Sequence, residues 1–305
     1  MSGTALVTGA FGFIGRHVAQ RLAAGGWKVS GIGHGKYDDA ERQRWGMRRF
    51  TPADVTLASL AASGAKPELI VHCAGGSTVG HSLARPLEDF ERTVATTAAV
   101  LEFARTLAGG ARVVFLSSAA VYGNAGFQPL REDAPLAPLS PYGVHKRIGE
   151  DLCRLYGVQF NVASVILRLF SIYGAGMRKQ LLWDASQRIR SGDVSFAGSG
   201  AEVRDWLHVE DAASLIEQAQ GLASADCPVV NGGSGVGVAV AQILKELLAC
   251  FGRTDAPRFT GARRTGDPEA LVADVSRALA TGWRPQMSWK DGVREYTDWY
   301  LKTAA

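Results

Sequence analysis

A tyrosine and a lysine one helical turn apart are the residues of this sequence best suited to acid–base chemistry. Tyr142 and Lys146 are four residues apart, and both side chains leave the same face of a helix with that spacing. Ser140 followed by Pro141 predicts that such a helix begins just before them. An unperturbed tyrosine, with a pKa of about 10, transfers protons poorly at neutral pH, whereas a neighbouring ammonium group favours the phenolate. We therefore predict a proton donor in which Lys146 lowers the pKa of Tyr142.

A serine pair follows the strand that is predicted before this helix. Residues 111–116 are a short apolar run, and Ser117 and Ser118 come directly after it. Ligands of open α/β sheets bind at the carboxyl ends of the strands. The 24 residues from Ser118 to Tyr142 are enough for a loop that returns the helix to this edge. Ser118 is therefore predicted to hydrogen-bond a substrate oxygen, and Ser117 to be structural.

A glycine-rich turn near the N-terminus predicts a dinucleotide cofactor. Residues 4–8 are β-rich and apolar, and Gly9, Gly12 and Gly15 follow in a G-x-x-G-x-x-G pattern that leads into a helical stretch. Glycines let the backbone approach a pyrophosphate, whose charge then lies at the positive end of the helix. The other residues predicted to line this turn are Phe11, Phe13 and Ile14.

The end of the second predicted strand, residues 27–32, bears on which dinucleotide is bound. NAD sites normally carry an acidic residue there, which binds the adenosine ribose. This sequence has Gly33 and His34 instead, with Lys36 two residues further on. A small residue followed by cationic ones suits a 2′-phosphate, and Arg16 could assist from the glycine turn. We therefore predict NADP, with NAD as the alternative.

Two further strand ends are predicted to complete the cofactor pocket. Asp54, near the end of a strand over residues 50–55, could bond the adenine amino group. Small residues follow the strand over residues 68–73 and permit a close approach. His72 is predicted to be a packed strand-end residue, because no partner histidine lies at metal-ligand spacing, and no metal is expected. The remaining contacts predicted here are Val55, Cys73, Ala74 and Gly75.

Composition limits the class of protein. The chain has 305 residues, of which 47% are hydrophobic, so it can bury a large core. The net charge of +4 comes from scattered arginines, which argues against a nucleic-acid partner. The four cysteines form no C-x-x-C pair, so free thiols and a cytoplasmic location are expected. There is no cleavable leader and no 18-residue apolar run, so no membrane association is expected.

Motifs along the whole chain resemble those of one family. T-G-A-F-G-F-I-G, S-S-A-A-V-Y-G and S-P-Y-G-V-H-K occur at residues 8–15, 117–123 and 140–146. Together they resemble the extended short-chain dehydrogenase/reductase family, whose members are nucleotide-sugar epimerases, dehydratases and ketoreductases. The segments R-D-W-L-H-V at 204–209 and R-R-T-G-D at 263–267 continue the resemblance.

The resemblance implies a Rossmann-like, doubly wound parallel α/β sheet with a smaller mixed α/β substrate-binding domain. The dinucleotide-binding domain would span residues 1–169 and the substrate-binding domain residues 170–305, with short segments near 206–219 and 229–231 returning to the first. Ser118, Tyr142 and Lys146 would be catalytic, and Tyr142 and Lys146 would also contact the cofactor. The residues implied to bind a nucleotide-diphosphate sugar are Ser77, Thr78, Ser118, Ser171, Arg204, Arg264 and Asp267.

The chain departs from the family pattern at positions that bear on the reaction. Family dehydratases carry an Asp-Glu pair after the catalytic Ser or Thr, and here those positions are Ala119 and Ala120, so a 4,6-dehydratase is not expected. Thr93 and Ser171 stand where the family usually has Asn. The leading prediction is NADPH-dependent reduction of a nucleotide-linked 4-ketosugar, and the alternative is a nucleotide-sugar 4-epimerase that retains NAD. A ketone reductase for a non-sugar substrate and a cofactor-sensing regulatory protein are more remote hypotheses.

Two helices are predicted to flank the site. Residues 88–107 predict one long, mostly regular helix with an apolar face, and the helix from Pro141 carries Tyr142 and Lys146. Members of the family often pair these two helices with their copies in a four-helix interface. The resemblance therefore implies a homodimer.

Overall fold

The computed structural model describes residues 3–126, 128–262, 266 and 268–304. Strands and helices alternate along most of this chain, which is the pattern of α/β proteins. In chain order the strands are β1 (Thr4–Thr8), β2 (Lys28–Gly33), β3 (Met47–Pro52), β4 (Leu69–His72), β5 (Arg112–Ser118), β6 (Ser164–Leu169), β7 (Ser171–Tyr173), β8 (Ser195–Phe196), β9 (Val203–His208), β10 (Val229–Gly232), β11 (Gly237–Ala239), β12 (Arg258–Phe259) and β13 (Ala270–Leu271). The α-helices are α1 (Phe13–Ala24), α2 (Asp39–Arg44), α3 (Leu57–Ala62), α4 (Val79–Ala84), α5 (Pro86–Phe90), α6 (Thr96–Thr106), α7 (Pro141–Phe160), α8 (Gln180–Arg190), α9 (Val209–Ala219), α10 (Val240–Cys250), α11 (Ser276–Ala280) and α12 (Trp289–Ala304).

The main sheet has seven parallel strands in the order β10-β6-β5-β4-β1-β2-β3. β1 pairs with both β2 and β4, and the chain builds the sheet outward from this point in both directions. Because the strand order reverses between β1 and β4, a crevice opens outside their carboxyl ends, at Thr8 and His72. The predicted Rossmann-like, doubly wound parallel α/β fold is confirmed.

Helices cover both faces of the main sheet. On one face, α1 and α9 bury Val18, Leu22 and Leu215 against the strands. On the other, α6 and α7 bury Leu101 and Cys153. Full burial of one such aliphatic side chain stabilises the fold by about 1.5–3 kcal/mol, so these two layers fix the strand edge on which any site must be built. Among the described residues no helix has the length and apolar character needed to cross a membrane.

A smaller mixed unit follows the main sheet along the chain. β9 pairs with β7 and β13 in parallel and with β11 in antiparallel fashion. α8, α10 and α12 form a separate core that includes Leu182, Leu247 and Tyr296. This is the predicted smaller α/β part, and β10, near the segment expected to return, lies in the main sheet. The division into two domains at residue 169 stays a prediction.

α7 begins where its first residues predict. The Ser140 Oγ accepts a hydrogen bond from the Gly143 nitrogen at 3.3 Å, and Pro141 occupies the first turn. The helix ends at Asn161, whose φ of 56° is left-handed. The predicted helix start is confirmed, and it sets the position of both Tyr142 and Lys146.

The long regular helix predicted over residues 88–107 is wrong in one respect. α5 and α6 are joined by a π-helical turn, Glu91–Ala95. The hydroxyl of Thr97 donates to the Thr93 carbonyl at 2.6 Å, and the Thr93 hydroxyl in turn accepts a hydrogen bond from the Gly76 nitrogen at 2.9 Å. Such side-chain bonds compete with the regular helix pattern. π-turns of this kind occur frequently at functional sites, and this one borders the crevice.

Candidate active site

One large cleft, with a volume of about 1570 Å³, lies at the carboxyl edge of the main sheet. The predicted site residues that line it are Gly9, Phe11, Gly12, Phe13, Ile14, Gly15, Gly33, His34, Asp54, Val55, Cys73, Ala74, Gly75, Ser77, Thr78, Ser118, Tyr142, Lys146, Ser171 and Arg204. The structure therefore places the predicted cofactor and substrate residues in a single space. Lys36 does not line this cleft, and Arg264 and Asp267 lie outside the described residues.

The glycine turn after β1 forms one end of the cleft. Gly9 has a φ of 64°, and a Cβ there would lie 2.7 Å from the Ala74 nitrogen, so only glycine lets the two segments approach this closely. α1 follows with Gly12 as its N-cap, with no side-chain cap and no acidic residue in its first turn. The free N–H groups and positive end of α1 can therefore hold a pyrophosphate.

Ser118, Tyr142 and Lys146 meet at the floor of the cleft. Ser118 ends β5, and its hydroxyl lies close enough to Tyr142 to lower the pKa of the phenol. Lys146 is 5% exposed, and its Nζ donates to the Leu116 carbonyl at 2.8 Å. The same Nζ lies 5.9 Å from the centre of the Tyr142 ring. The Ser118 hydroxyl, the Tyr142 phenol and the Lys146 ammonium group thus lie near one another, where they can bind one substrate oxygen and transfer its proton.

Burial dominates the protonation of these groups. It raises the pKa of Tyr142, while a hydrogen bond from Ser118 lowers it and the Asp89 carboxylate raises it. Burial lowers the pKa of Lys146 to about 8, against the raising effect of Asp89 and Cys73. The prediction that Lys146 lowers the pKa of Tyr142 is therefore wrong for the chain by itself. The physical reason is that desolvation of the buried phenol is the largest effect on its pKa.

His72 is a packed strand-end residue, as predicted. It is 1% exposed, with Nδ1 2.7 Å from the Thr8 hydroxyl and Nε2 3.2 Å from the Thr97 hydroxyl. Burial, followed by the Lys146 charge, lowers its pKa to about 3, so it is neutral. In the part of the chain that the structure describes, no group of three or more His, Cys, Asp or Glu side chains could hold a metal ion.

The residues predicted to favour a 2′-phosphate do not form a cationic pocket. His34 and Asp54 both line the cleft, and the Asp54 carboxylate contacts Nε2 of the His34 ring. Arg16 does not line the cleft, and its guanidinium lies over the Trp45 ring at 5.0 Å. Lys36 is exposed elsewhere, at a small depression. An acidic side chain therefore lies beside His34 at this end of the cleft.

Arg204 and Ser171 lie in the half of the cleft that faces the smaller unit. The Arg204 guanidinium donates to the Pro268 carbonyl at 2.7 Å and to the Val203 carbonyl at 2.8 Å. These bonds hold a positive charge at the cleft wall. Thr78 N-caps α4, and Ser77 precedes it in the lining. The structure thus places the described residues of the predicted sugar-nucleotide set along the same cleft.

Other lining residues were missed by sequence analysis. Lys179 and Gln180 line the cleft, and Gln180 has a φ of 65°, which is unusual for a residue other than glycine. Phe196 and Trp206 add aromatic surface from β8 and β9. No local motif marks the first three positions, because the tertiary arrangement of α8 and β8 brings them to the cleft. Trp206 lies inside the R-D-W-L-H-V segment, which was a usable signal.

The sheet order, the glycine turn and the cleft are those of an enzyme of the extended short-chain dehydrogenase/reductase type. The family model described as "NAD dependent epimerase/dehydratase family" matches residues 5–223, which is more than half of the chain. The chain belongs to the NAD-dependent epimerase/dehydratase family, and the resemblance inferred from its motifs is confirmed.

Several named proteins are similar to this chain over almost its whole length. The UDP-glucose 4-epimerase of Azospirillum brasilense is 32% identical, with 96% of this chain and 91% of the relative covered. The structure of UDP-glucuronic acid 4-epimerase from Bacillus cereus, in complex with UDP-glucuronic acid and NAD, has a TM-score of 0.88 at 25% identity and covers 98% of this chain and 99% of its own. That of the dTDP-glucose 4,6-dehydratase DesIV from Streptomyces venezuelae, a double mutant with NAD bound, has a TM-score of 0.89 at 28% identity and covers 98% and 97%.

Proposed function

We propose that this protein is a nucleotide-sugar 4-epimerase that retains NAD, with a UDP-hexose as its substrate. The observation that carries the proposal is the position of Ser118, Tyr142 and Lys146. They lie in one cleft between the first turn of α1, which fits a pyrophosphate, and Arg204, which fits the diphosphate of a sugar nucleotide. The 4-epimerases among the relatives and structural neighbours support the same reaction.

The described side chains supply the acid–base part of this reaction. When bound, NAD supplies reversible two-electron oxidation of the sugar at C4. Tyr142 as phenolate takes the proton of the C4 hydroxyl and returns a proton to the same oxygen when the centre is reduced from its other face. Ser118 donates a hydrogen bond to that oxygen, and the positive ring of oxidised NAD, when bound, would favour the phenolate against the burial that raises the pKa of Tyr142 in the chain by itself. Proton and electrons return to the substrate, so the reaction balances without a second reactant.

Two observations favour an epimerase over the predicted 4-ketosugar reductase. Relatives that match the chain over almost its whole length include 4-epimerases. The pairing of His34 with Asp54, and the stacking of Arg16 on Trp45, leave little positive charge to bind the 2′-phosphate of NADP. We therefore propose NAD as the cofactor.

Dehydration is disfavoured for a different reason. One structural neighbour is a 4,6-dehydratase, but Ala119 and Ala120 occupy the positions at which family dehydratases carry their acid–base pair, and both line the cleft. Elimination of water needs an acid and a base at the reacting carbons, and methyl side chains supply neither.

Incubation of the purified protein with UDP-galactose, with no added cofactor, tests the proposal. We expect UDP-glucose to form with no net change in absorbance at 340 nm, and mass spectrometry of the nucleotide released by acid to find NAD. The Tyr142→Phe variant, which removes the proton-transferring hydroxyl alone, should lose at least about 100-fold in kcat. Stoichiometric consumption of added NADPH by a 4-ketosugar, without epimer formation, would instead restore the reductase hypothesis.

We further propose that the protein is a homodimer in the cytoplasm. Val144, Leu155 and Val158 are 40%, 50% and 76% exposed and recur on one face of α7, while Leu87 and Phe90 of α5 are 69% and 40% exposed. Exposed apolar side chains grouped on one helix face are typical of an interaction site. The four free cysteines support a reducing compartment.

A further inference from the structure

A fully buried carboxylate lies against the catalytic helix and takes no part in the chemistry described above. Asp89 of α5 is 0% exposed. Its Oδ2 accepts a hydrogen bond from Nδ1 of His145 at 2.6 Å, and a carboxylate can only accept in this contact. His145 lies in the α7 sequence between Tyr142 and Lys146, and its side chain is 12% exposed. The pair therefore links α5 to the turn of α7 that carries both reactive groups.

The other oxygen of Asp89 points at the cleft floor. Oδ1 is buried and has no hydrogen-bond partner among the described residues. A Cβ added to Gly76, which lines the cleft, would lie within van der Waals overlap of this oxygen. Leaving a buried carboxylate oxygen unsatisfied costs stability, commonly about 1–3 kcal/mol or more for a charged group. A charge kept at this cost, so near the reactive groups, calls for a role in the site.

The first turn of α7 has a second anchor on the same side. The hydroxyl of Ser82 in α4 accepts a hydrogen bond from the Tyr142 nitrogen at 3.1 Å. The ring of Phe90 packs edge-on against that of His145, with centres 5.6 Å apart. α4 and α5 together therefore determine where the Tyr142 hydroxyl lies relative to Ser118 on β5.

The charge of Asp89 also reaches both reactive groups. It raises the pKa of Lys146 and that of Tyr142. Other titratable or charged groups also surround Asp89 and Lys146. Around Lys146 and Asp89 these are His72, Cys73, Tyr142 and His145. On the side of Asp89 there is also Glu88, which pairs with His81, Arg85 and Arg92. His72 and Cys73 are neutral at pH 7, because their pKa values are about 3 and about 12. Glu88 is paired with arginines, so Asp89 supplies the negative charge beside Lys146.

We propose that Asp89 and His145 are a positioning pair that fixes the first turn of α7 against the cleft floor and supplies the negative charge that favours the protonated forms of both Lys146 and Tyr142. His145 holds Asp89 in place by its hydrogen bond, and Asp89 acts through Lys146 and Tyr142 without touching the substrate. The inference rests on the proposed function, since it assigns Tyr142 and Lys146 their acid–base roles.

The first test titrates Tyr142 itself and needs no turnover. The ultraviolet absorbance of tyrosinate is recorded against pH for the protein and for Tyr142→Phe, and the difference gives the titration of Tyr142. The same difference is then measured with Asp89→Asn present, a change that keeps size and hydrogen bonding but removes the charge. We expect Tyr142 to titrate at lower pH in the Asp89→Asn background. Asp151→Asn is the matched control, because Asp151 is an exposed α7 carboxylate paired with Arg154.

An unchanged Tyr142 titration in Asp89→Asn, or an equal shift in Asp151→Asn, would overturn the inference. If the titration shifts but no epimer forms with any sugar nucleotide, the proposed function fails while the electrostatic role of Asp89 stands. The two failures are thus separated by the measurement.

The second test is the pH profile of kcat. In Asp89→Asn both the acidic and the basic limb of the profile should move to lower pH, because Lys146 and Tyr142 lose a negative charge that favours their protonated forms. At pH 9 kcat should therefore fall about tenfold, with KM little changed. His145→Ala should also lower kcat, whereas His145→Gln, which can still donate to Asp89, should restore most of it. A structural role alone predicts lower melting temperatures with both limbs unmoved, and that result would reject the proposal.

Discussion

Lys146 combines a positive charge with almost complete burial. Its ammonium group is bonded to the Leu116 carbonyl and packs 5.4 Å from the Phe115 ring centre, so little water reaches it. Burial lowers its pKa from 10.5 to about 8, which places its titration close to physiological pH. A lysine in this state is poised to respond to a phenolate or to a bound charged ligand. The same burial makes it a cost to the stability of the fold.

Replacement of Lys146 by methionine is predicted to stabilise the protein while abolishing its activity. Between about pH 8 and 10.5 the unfolded chain binds the Lys146 proton and the folded chain does not, so this residue makes stability rise with pH in that window. Below pH 8 the charged, buried lysine lowers the free energy of unfolding by on the order of 3 kcal/mol. The Lys146→Met variant avoids this cost but loses the hydrogen bond to Leu116, which is worth about 1 kcal/mol. Urea unfolding at pH 7 should therefore give Lys146→Met a free energy of unfolding about 2 kcal/mol higher than the parent's. The difference should shrink toward pH 10.5, and a variant less stable than the parent at pH 7 would contradict the argument.

At the scale of elements, the sequence predicts those features, such as helix starts, that depend only on a short segment of chain. Ser140 and Pro141 start α7, and the glycine turn starts α1, because capping and backbone freedom are local properties. The mostly regular helix predicted over residues 88–107 is present except for its π-turn, which lies beside a hydrogen bond between Thr93 and Gly76, 17 residues apart in the chain. Tertiary contacts decide such details.

The prediction of NADP was also limited by tertiary contacts that the sequence does not show. The sequence places His34 and Arg16 near the adenosine end of a dinucleotide, but it does not say where their side chains point. Arg16 stacks on Trp45, and His34 meets Asp54, which comes from the next strand along the chain. A count of cations at a strand end therefore overstated the positive charge available to a phosphate.

The attachment of α7 to the sheet rests on a buried ion pair. The guanidinium of Arg168 on β6 donates to both oxygens of Glu150, at 2.9 and 2.8 Å, and the Ser117 hydroxyl donates to Glu150 Oε1 at 2.7 Å. Glu150 is 0% exposed and lies one turn after Lys146. These bonds fix α7 against β5 and β6, and so fix the spacing between Ser118 and Tyr142.

Removal of this carboxylate is predicted to be costly. Glu150→Gln leaves the buried Arg168 charge uncompensated and should lower the free energy of unfolding by about 3–5 kcal/mol. Arg154→Ala is the matched control, because Arg154 also bonds Glu150 but is 36% exposed, and its loss should cost less than about 1 kcal/mol. Guanidinium chloride unfolding followed by circular dichroism measures both. Equal effects of the two variants would show that Arg168 and Glu150 do not form the main attachment of α7.

At the scale of the molecule, α7 serves two surfaces. Its buried face carries Lys146 and Glu150 toward the sheet, and its outer face presents Val144, Leu155 and Val158 to solvent. A monomer gains nothing from leaving so many apolar side chains in water, whereas two copies of the chain related by a two-fold axis can bury them against each other. The proposed dimer therefore follows from the same helix that positions the catalytic groups.

Charge placed on this outer face should separate the protomers. In multi-angle light scattering after gel filtration the parent protein is expected at about twice the 32.4 kDa of one chain. Val158→Glu, at the most exposed of the three α7 positions, should shift the mass to that of a monomer, because an interface cannot bury an unpaired carboxylate without a penalty of several kcal/mol. Leu301→Glu on α12, a 43% exposed leucine outside the proposed interface, should stay dimeric. A parent protein that elutes as a monomer, or a Leu301→Glu variant that dissociates as readily as Val158→Glu, would place the contact elsewhere or remove it.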